Sequence, residues 1–72
     1  MNLEKGQRVT TAHGAGTIAG FESFDEDGHN AEPSETDNGN RAIVRLDNPD
    51  NWPAHTIATT DPHYQRDELS LI

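Results

Sequence analysis

The chain has 72 residues, with 13 Asp and Glu against 5 Lys and Arg and a formal net charge of −8. A domain this small buries only about 60% of its unfolded surface, and at 31% hydrophobic residues it has material for one thin core and not for a deep substrate cavity as well. The charge argues against direct contact with nucleic acid or with an anionic membrane, since both repel it, and for a basic partner surface.

Residues 1–7 read as a lead-in to a single domain spanning 1–72. Val9-Thr10-Thr11 favours a short strand, His13-Gly14-Ala15-Gly16 a glycine turn, and Thr17 to Phe24 a second strand completing a hairpin. Gly20 inside that strand marks a bulge or bend. Residues 25–40, DEDGHNAEPSETDNGN, form a long acidic loop with no apolar residue larger than alanine. Loops of more than ~12 residues are usually functional or mobile. Arg41 to Leu46 is the clearest strand, with Ala42, Val44 and Leu46 on one face and Arg41, Ile43 and Arg45 on the other. Asp47 to Asn51 is turn chemistry, and His55 to Thr59 a weaker strand. Thr60-Asp61-Pro62 opens a helical turn running to Arg66, with Asp61 as N-cap and Pro62 at the first position. Asp67 to Ile72 alternates and returns as the last strand. The expected core draws on Leu3, Val9, Ile18, Phe21, Phe24, Ile43, Val44, Leu46, Trp52, Ile57, Tyr64, Leu69, Leu71 and Ile72. Five short antiparallel strands, with a long loop between the second and third and a helical turn before the last, is the order of a mostly-β, SH3-like barrel.

Chemistry-bearing patterns are few. Asp25-Glu26-Asp27-Gly28 has a faint calcium-loop look, but with Gly28 at the sixth position the first and twelfth ligands fall on Ser23 and Ser34, where Asp and Glu are needed. His13, His29, His55 and His63 lack zinc-ligand spacing, and there is no Cys. Ser23, Ser34 and Ser70 lie in no nucleophile-elbow context. The glycines at 14 and 16 lack the lysine and the helix of a phosphate loop. No catalytic residue, cofactor or metal is therefore expected. Trp52 reads as a core cap in preference to a binding hot spot.

From Val9 to Asn40 there is no Lys or Arg. That span holds Glu22, Asp25, Glu26, Asp27, Glu32, Glu35 and Asp37, the expected partner-binding residues. Carboxylates spaced along a loop reproduce the field of a phosphate row and steer association with a basic groove. The competing reading is a solvated loop that keeps a small protein soluble.

Gly6-Gln7-Arg8-Val9 followed by Gly14-Ala15-Gly16-Thr17-Ile18 resembles the opening of SH3-like modules of the KOW, CarD and Tudor-like kinds. Val44-Arg45-Leu46-Asp47 and Asp67-Glu68-Leu69 fit the same layout. The chain also looks like small phage-encoded proteins of this layout that carry an acidic insertion. The resemblance implies a non-enzymatic phage inhibitor of anti-CRISPR type, in the host cytoplasm, that covers a basic nucleic-acid-binding surface of a host defence complex; a monomer is expected, although the sequence does not give the oligomeric state. The alternative it implies is an adaptor binding RNA polymerase or another transcription or translation complex, with Arg41, Ile43 and Arg45 in contact. No apolar run approaches the ~20 residues of a membrane span, and the N-terminus lacks a signal-peptide pattern, so a soluble cytoplasmic protein is expected.

Overall fold

The computed structural model describes residues 3–48 and 61–72. Five antiparallel strands form one curled half-barrel: β1 (Arg8–Thr11), β2 (Gly14–Phe21), β3 (Ala42–Leu46), β4 (His63–Tyr64) and β5 (Ser70–Leu71), side by side in the order β4-β3-β2-β1-β5. A three-residue 3-10 turn, Arg66–Glu68, is the only helix among the described residues, so none of them forms a helix long and apolar enough to cross a membrane.

The β1–β2 hairpin closes one step earlier than expected. Thr11 pairs with Gly14, so the turn residues are Ala12 and His13. The Thr11 hydroxyl donates to the Gly14 carbonyl at 2.9 Å and accepts from the His13 N–H at 2.9 Å. The left-handed backbone then falls on Gly14, with φ of 107°, where glycine costs least. Gly16 is a strand residue and serves packing. A Cβ there would lie 2.6 Å from Val44 Cγ1 and 2.7 Å from the Arg45 carbonyl oxygen.

The expected bulge in β2 is present and decides what is buried. Ile18 pairs with Val44 and Gly20 with Ile43, leaving Ala19 as the extra residue. That insertion resets the two-residue alternation, so Ile18 and Phe21, three apart in sequence, both turn inward and are 1% and 0% exposed. With them in the core lie Leu3, Val9, Ala42, Val44, Leu46, Tyr64 and Leu69. Ala42, Val44 and Leu46 share the buried face of β3 as the alternation requires, and Ile43 and Arg45 the other. Phe24, Leu71 and Ile72, expected in the core, are exposed. They lie beyond the bulge or at the end of the sheet, where no other described residue buries them. Trp52 and Ile57 lie outside the described residues, as does the expected strand over 55–59.

The fourth strand and the helical turn are the main corrections. His63-Tyr64, expected to be helical, is extended and pairs with Ile43-Ala42. Pro62 is buried, and its carbonyl accepts the Val44 N–H at 3.0 Å. The helical turn starts after Gln65, not at Asp61. Gln65 is the N-cap, joined to Glu68 by a reciprocal capping box. Tertiary packing overrides the local Asp-Pro signal, because the extended form buries the Tyr64 ring beside Ala42 and brings its hydroxyl to His13 Nδ1 at 2.7 Å.

Residues 22–41, between β2 and β3, are tied back onto the sheet. Phe21 and Ser34 exchange backbone hydrogen bonds at 2.9 and 2.8 Å. Beyond that pair the chain makes an irregular hairpin: Phe24 bridges Asn30, and the Asp25 N–H donates to the His29 carbonyl at 2.9 Å. Pro33 and Ser34 pass over Gly20, where a Cβ would meet them at 3.4 and 3.1 Å. Glu4 bridges Thr36, fastening the same segment to the lead-in. Gly16→Ala tests the close β2–β3 approach. The added methyl meets backbone as well as side chain, so a loss of about 1–3 kcal/mol in chemical denaturation is expected, and an unchanged midpoint contradicts the packing described.

Candidate functional site

The outward face of the sheet is organised around Glu22, the first residue after β2. Its backbone N–H donates to the Arg41 carbonyl at 2.9 Å, and its side chain is 11% exposed. Arg41 Nε donates to Oε2 at 3.0 Å and Nη2 to Oε1 at 2.7 Å, the two-pronged geometry in which arginine binds carboxylate best. His63 Nδ1 on β4 meets the same Oε1. The side-chain amides of Asn38 and Asn40 donate to the Glu22 carbonyl at 2.7 and 3.0 Å. One residue thus joins the end of β2, the start of β3 and β4.

Beside this junction runs a solvent-open groove of about 480 Å³. Ala19 and Ile43 line it from the sheet, Ala31 and Pro33 from the excursion, and Glu22, Asp61, Arg45 and His63 are its charged and titratable lining. The bulge places Ala19 outward, and the pairing of Ile43 with His63 puts those two side chains on one face. Arg45 Nε lies 3.6 Å from an Asp61 carboxylate oxygen, with Arg45 76% exposed.

The seven expected binding acids fall into two groups. Glu22, Glu35 and Asp37 are engaged within the molecule. Asp37 takes both terminal nitrogens of Arg66 and accepts from the N–H groups of Leu3 at 3.2 Å and Gly39 at 3.1 Å. Glu35 meets Lys5 at 3.2 Å. Asp25, Glu26, Asp27 and Glu32 are exposed and pair with no Lys or Arg among the described residues. Asp25 nonetheless shapes the tip, because its Oδ1 accepts from the N–H groups of Asp27 and His29, both at 2.9 Å. Asp25, Asp27 and His29 each bring one ligand-type atom within 4.8 Å of the others, all on exposed side chains.

Every Lys and Arg of the chain is held by a carboxylate. The pairs are Lys5–Glu35, Arg8–Asp47, Arg41–Glu22, Arg45–Asp61 and Arg66–Asp37. The net charge of −8 therefore rests on the carboxylates left over. Sequence reasoning grouped Glu22 and Asp37 with the loop acids because composition does not reveal pairings 19 and 29 positions apart. It passed over Asp61 and His63 as groove residues, since only the sheet register carries them there.

No family model, curated protein or solved structure matches the chain.

Burial pushes the Glu22 carboxyl up, but the hydrogen bonds and charges of Arg41 and His63 outweigh it and hold it below its usual 4.5. A carboxyl depressed on folding adds stability above its unfolded value, and that stability is lost as pH falls through the folded value. Glu22→Gln should therefore lower the urea midpoint at neutral pH and flatten its decline below pH 4.5. Parallel wild-type and variant curves from pH 7 into that acid limb would remove the junction's electrostatic role.

Proposed function

We propose that this chain is a non-enzymatic binding module, an SH3-like barrel by its strand order, that covers a basic, nucleic-acid-binding surface of a protein complex with its acidic tip and so blocks nucleic-acid access. The observation that carries the reading is the distribution of charge. All five basic side chains are neutralised internally, and Asp25, Glu26, Asp27 and Glu32 project together from one tied-down hairpin. A row of carboxylates free of internal cations presents its field to a partner undiminished, whereas a partner phosphate would find no free cation to meet it. The resemblance to small phage proteins makes a phage counter-defence factor of anti-CRISPR type, acting in the host cytoplasm, the particular form we propose.

A second reading has its own observation. The groove exposes Ile43 and Arg45 on the outward face of β3, two of the three residues, with Arg41, that an adaptor on RNA polymerase or another transcription or translation complex would use.

The structure alters which variant tests the first reading. Asp25 shapes the tip, and Glu22, Glu35 and Asp37 are internally paired, so the informative change is Glu26→Gln, Asp27→Asn and Glu32→Gln together, which leaves every described ion pair intact. With the tagged protein as bait in bacterial host lysate, the captured complex should bind the triple variant at least about tenfold more weakly at low salt. The difference should nearly vanish at about 1 M salt, where the Debye length is about 3 Å. Capture that the triple variant leaves untouched, but Ile43→Ser with Arg45→Ser abolishes, supports the adaptor reading instead.

A further inference from the structure

We infer that the groove lined by the outward sheet face and by Ala31 and Pro33 is an anchor site for one arginine side chain of a partner protein. This shares with the proposed function the premise of a basic partner surface, but it concerns the sheet face and not the acidic tip.

The groove's chemistry suits an arginine in both of its halves. Its lining residues Ala19, Ile43 and Pro33 are aliphatic, which matches the methylene stem that a long basic side chain lays along apolar surface. Carboxylates line it at Glu22 and Asp61, and they are not equivalent. Glu22 is 11% exposed and gripped by Arg41 and His63, so it is already neutralised and has little free accepting capacity. Asp61 is 33% exposed, and its only ion pair among the described residues is to Arg45 Nε at 3.6 Å.

That pair is open to exchange. It is long, Arg45 is 76% exposed, and ion pairs of this kind contribute about 0–1 kcal/mol. A guanidinium arriving from outside can engage both Asp61 oxygens in a fork while its stem covers Ile43. Arg45 then turns outward into water without desolvation. Arg45 is accordingly an internal placeholder for the ligand, which gives the inference a distinctive sign: removing Arg45 strengthens binding, although it makes an already acidic molecule only slightly more so.

Lysine fits less well, because an ammonium is a point charge with a stronger hydration shell and no fork. A neutral side chain of arginine's shape keeps the apolar contact and loses the ionic one.

The test uses the full chain and the blocked amino acid acetyl-arginine methylamide, titrated while amide resonances are followed by NMR, with the lysine and citrulline analogues as comparisons. Saturable shifts centred on Ala19, Ser23, Ile43 and His63 are expected, with a dissociation constant on the order of millimolar for arginine, weaker binding for lysine and none for citrulline. Asp61→Asn should weaken arginine binding about fivefold, and Arg45→Gln should tighten it. The Glu26→Gln and Asp27→Asn double variant, which changes no residue of the groove, should leave the groove shifts in place. Equal binding of citrulline, shifts confined to residues 25–29, no saturation at about 20 mM ligand, or weaker binding in Arg45→Gln each overturns the inference. None of those results touches the tip-variant capture experiment, so the two ideas fail separately. If Asp61→Asn loses its folded spectrum, the sign of the Arg45→Gln effect decides alone.

Discussion

The carboxylate of Glu22 is where three separate stretches of chain are made to agree. It is the first residue after β2, and it binds Arg41, which enters β3, and His63 on β4. The cation is needed because the carboxylate is mostly withdrawn from water, and an unpaired buried charge is far costlier than a buried polar group. With the junction formed, residues 22 and 41 are neighbours, and the twenty-residue stretch they bound must leave and return at one point. The bulge at Ala19, the passage of Pro33-Ser34 over Gly20 and the groove all lie within reach of that constraint.

The same pairing logic divides the acids of the chain. A small protein with 13 carboxylates and 5 cations can scatter its cations as solvated charges or use each to hold two pieces of chain together. Here each one holds. Lys5 and Arg66 fasten the 35–37 stretch to the lead-in and to the 3-10 turn, Arg8 joins β1 to the end of β3, and Arg41 closes the excursion. Individually such surface pairs contribute little. Their joint effect on the field is larger, because the acids they use are neutralised, and of the carboxylates left over Asp25, Glu26, Asp27 and Glu32 lie close in sequence on the one excursion between β2 and β3. Stability and the proposed recognition thus draw on different carboxylates, so one set can be altered while the other is kept.

Local patterns explain a good part of the fold. The alternation of Ala42, Val44 and Leu46 against Ile43 and Arg45 places both faces of β3 correctly. Gly20 marks the bulge, and Ser70-Leu71 returns beside β1. Where local patterns mislead, a nonlocal contact has outweighed a local signal. Gly16 looks like a turn residue but is needed for the approach of Val44. Asp61-Pro62 looks like a helix start, yet Tyr64 gains more by lying extended in the core. Phe24 looks like core, but the alternation reset at Ala19 turns Phe21 inward and leaves Phe24, three residues on, outside.

By itself the sequence determined a small, acidic, mostly-β chain, the position of its clearest strand, and a cation-free span rich in carboxylates. These depend on composition and on short-range alternation, which any window of a few residues displays. Only the tertiary structure decided which of those carboxylates are available. Whether Glu22, Glu35 and Asp37 meet a cation depends on where Arg41, Lys5 and Arg66 arrive after the chain has turned back on itself. The groove likewise exists only because sheet register sets Ile43 beside His63 and the excursion folds over Gly20. Charge is a property of residues one at a time, whereas its neutralisation is a property of pairs brought together by the fold.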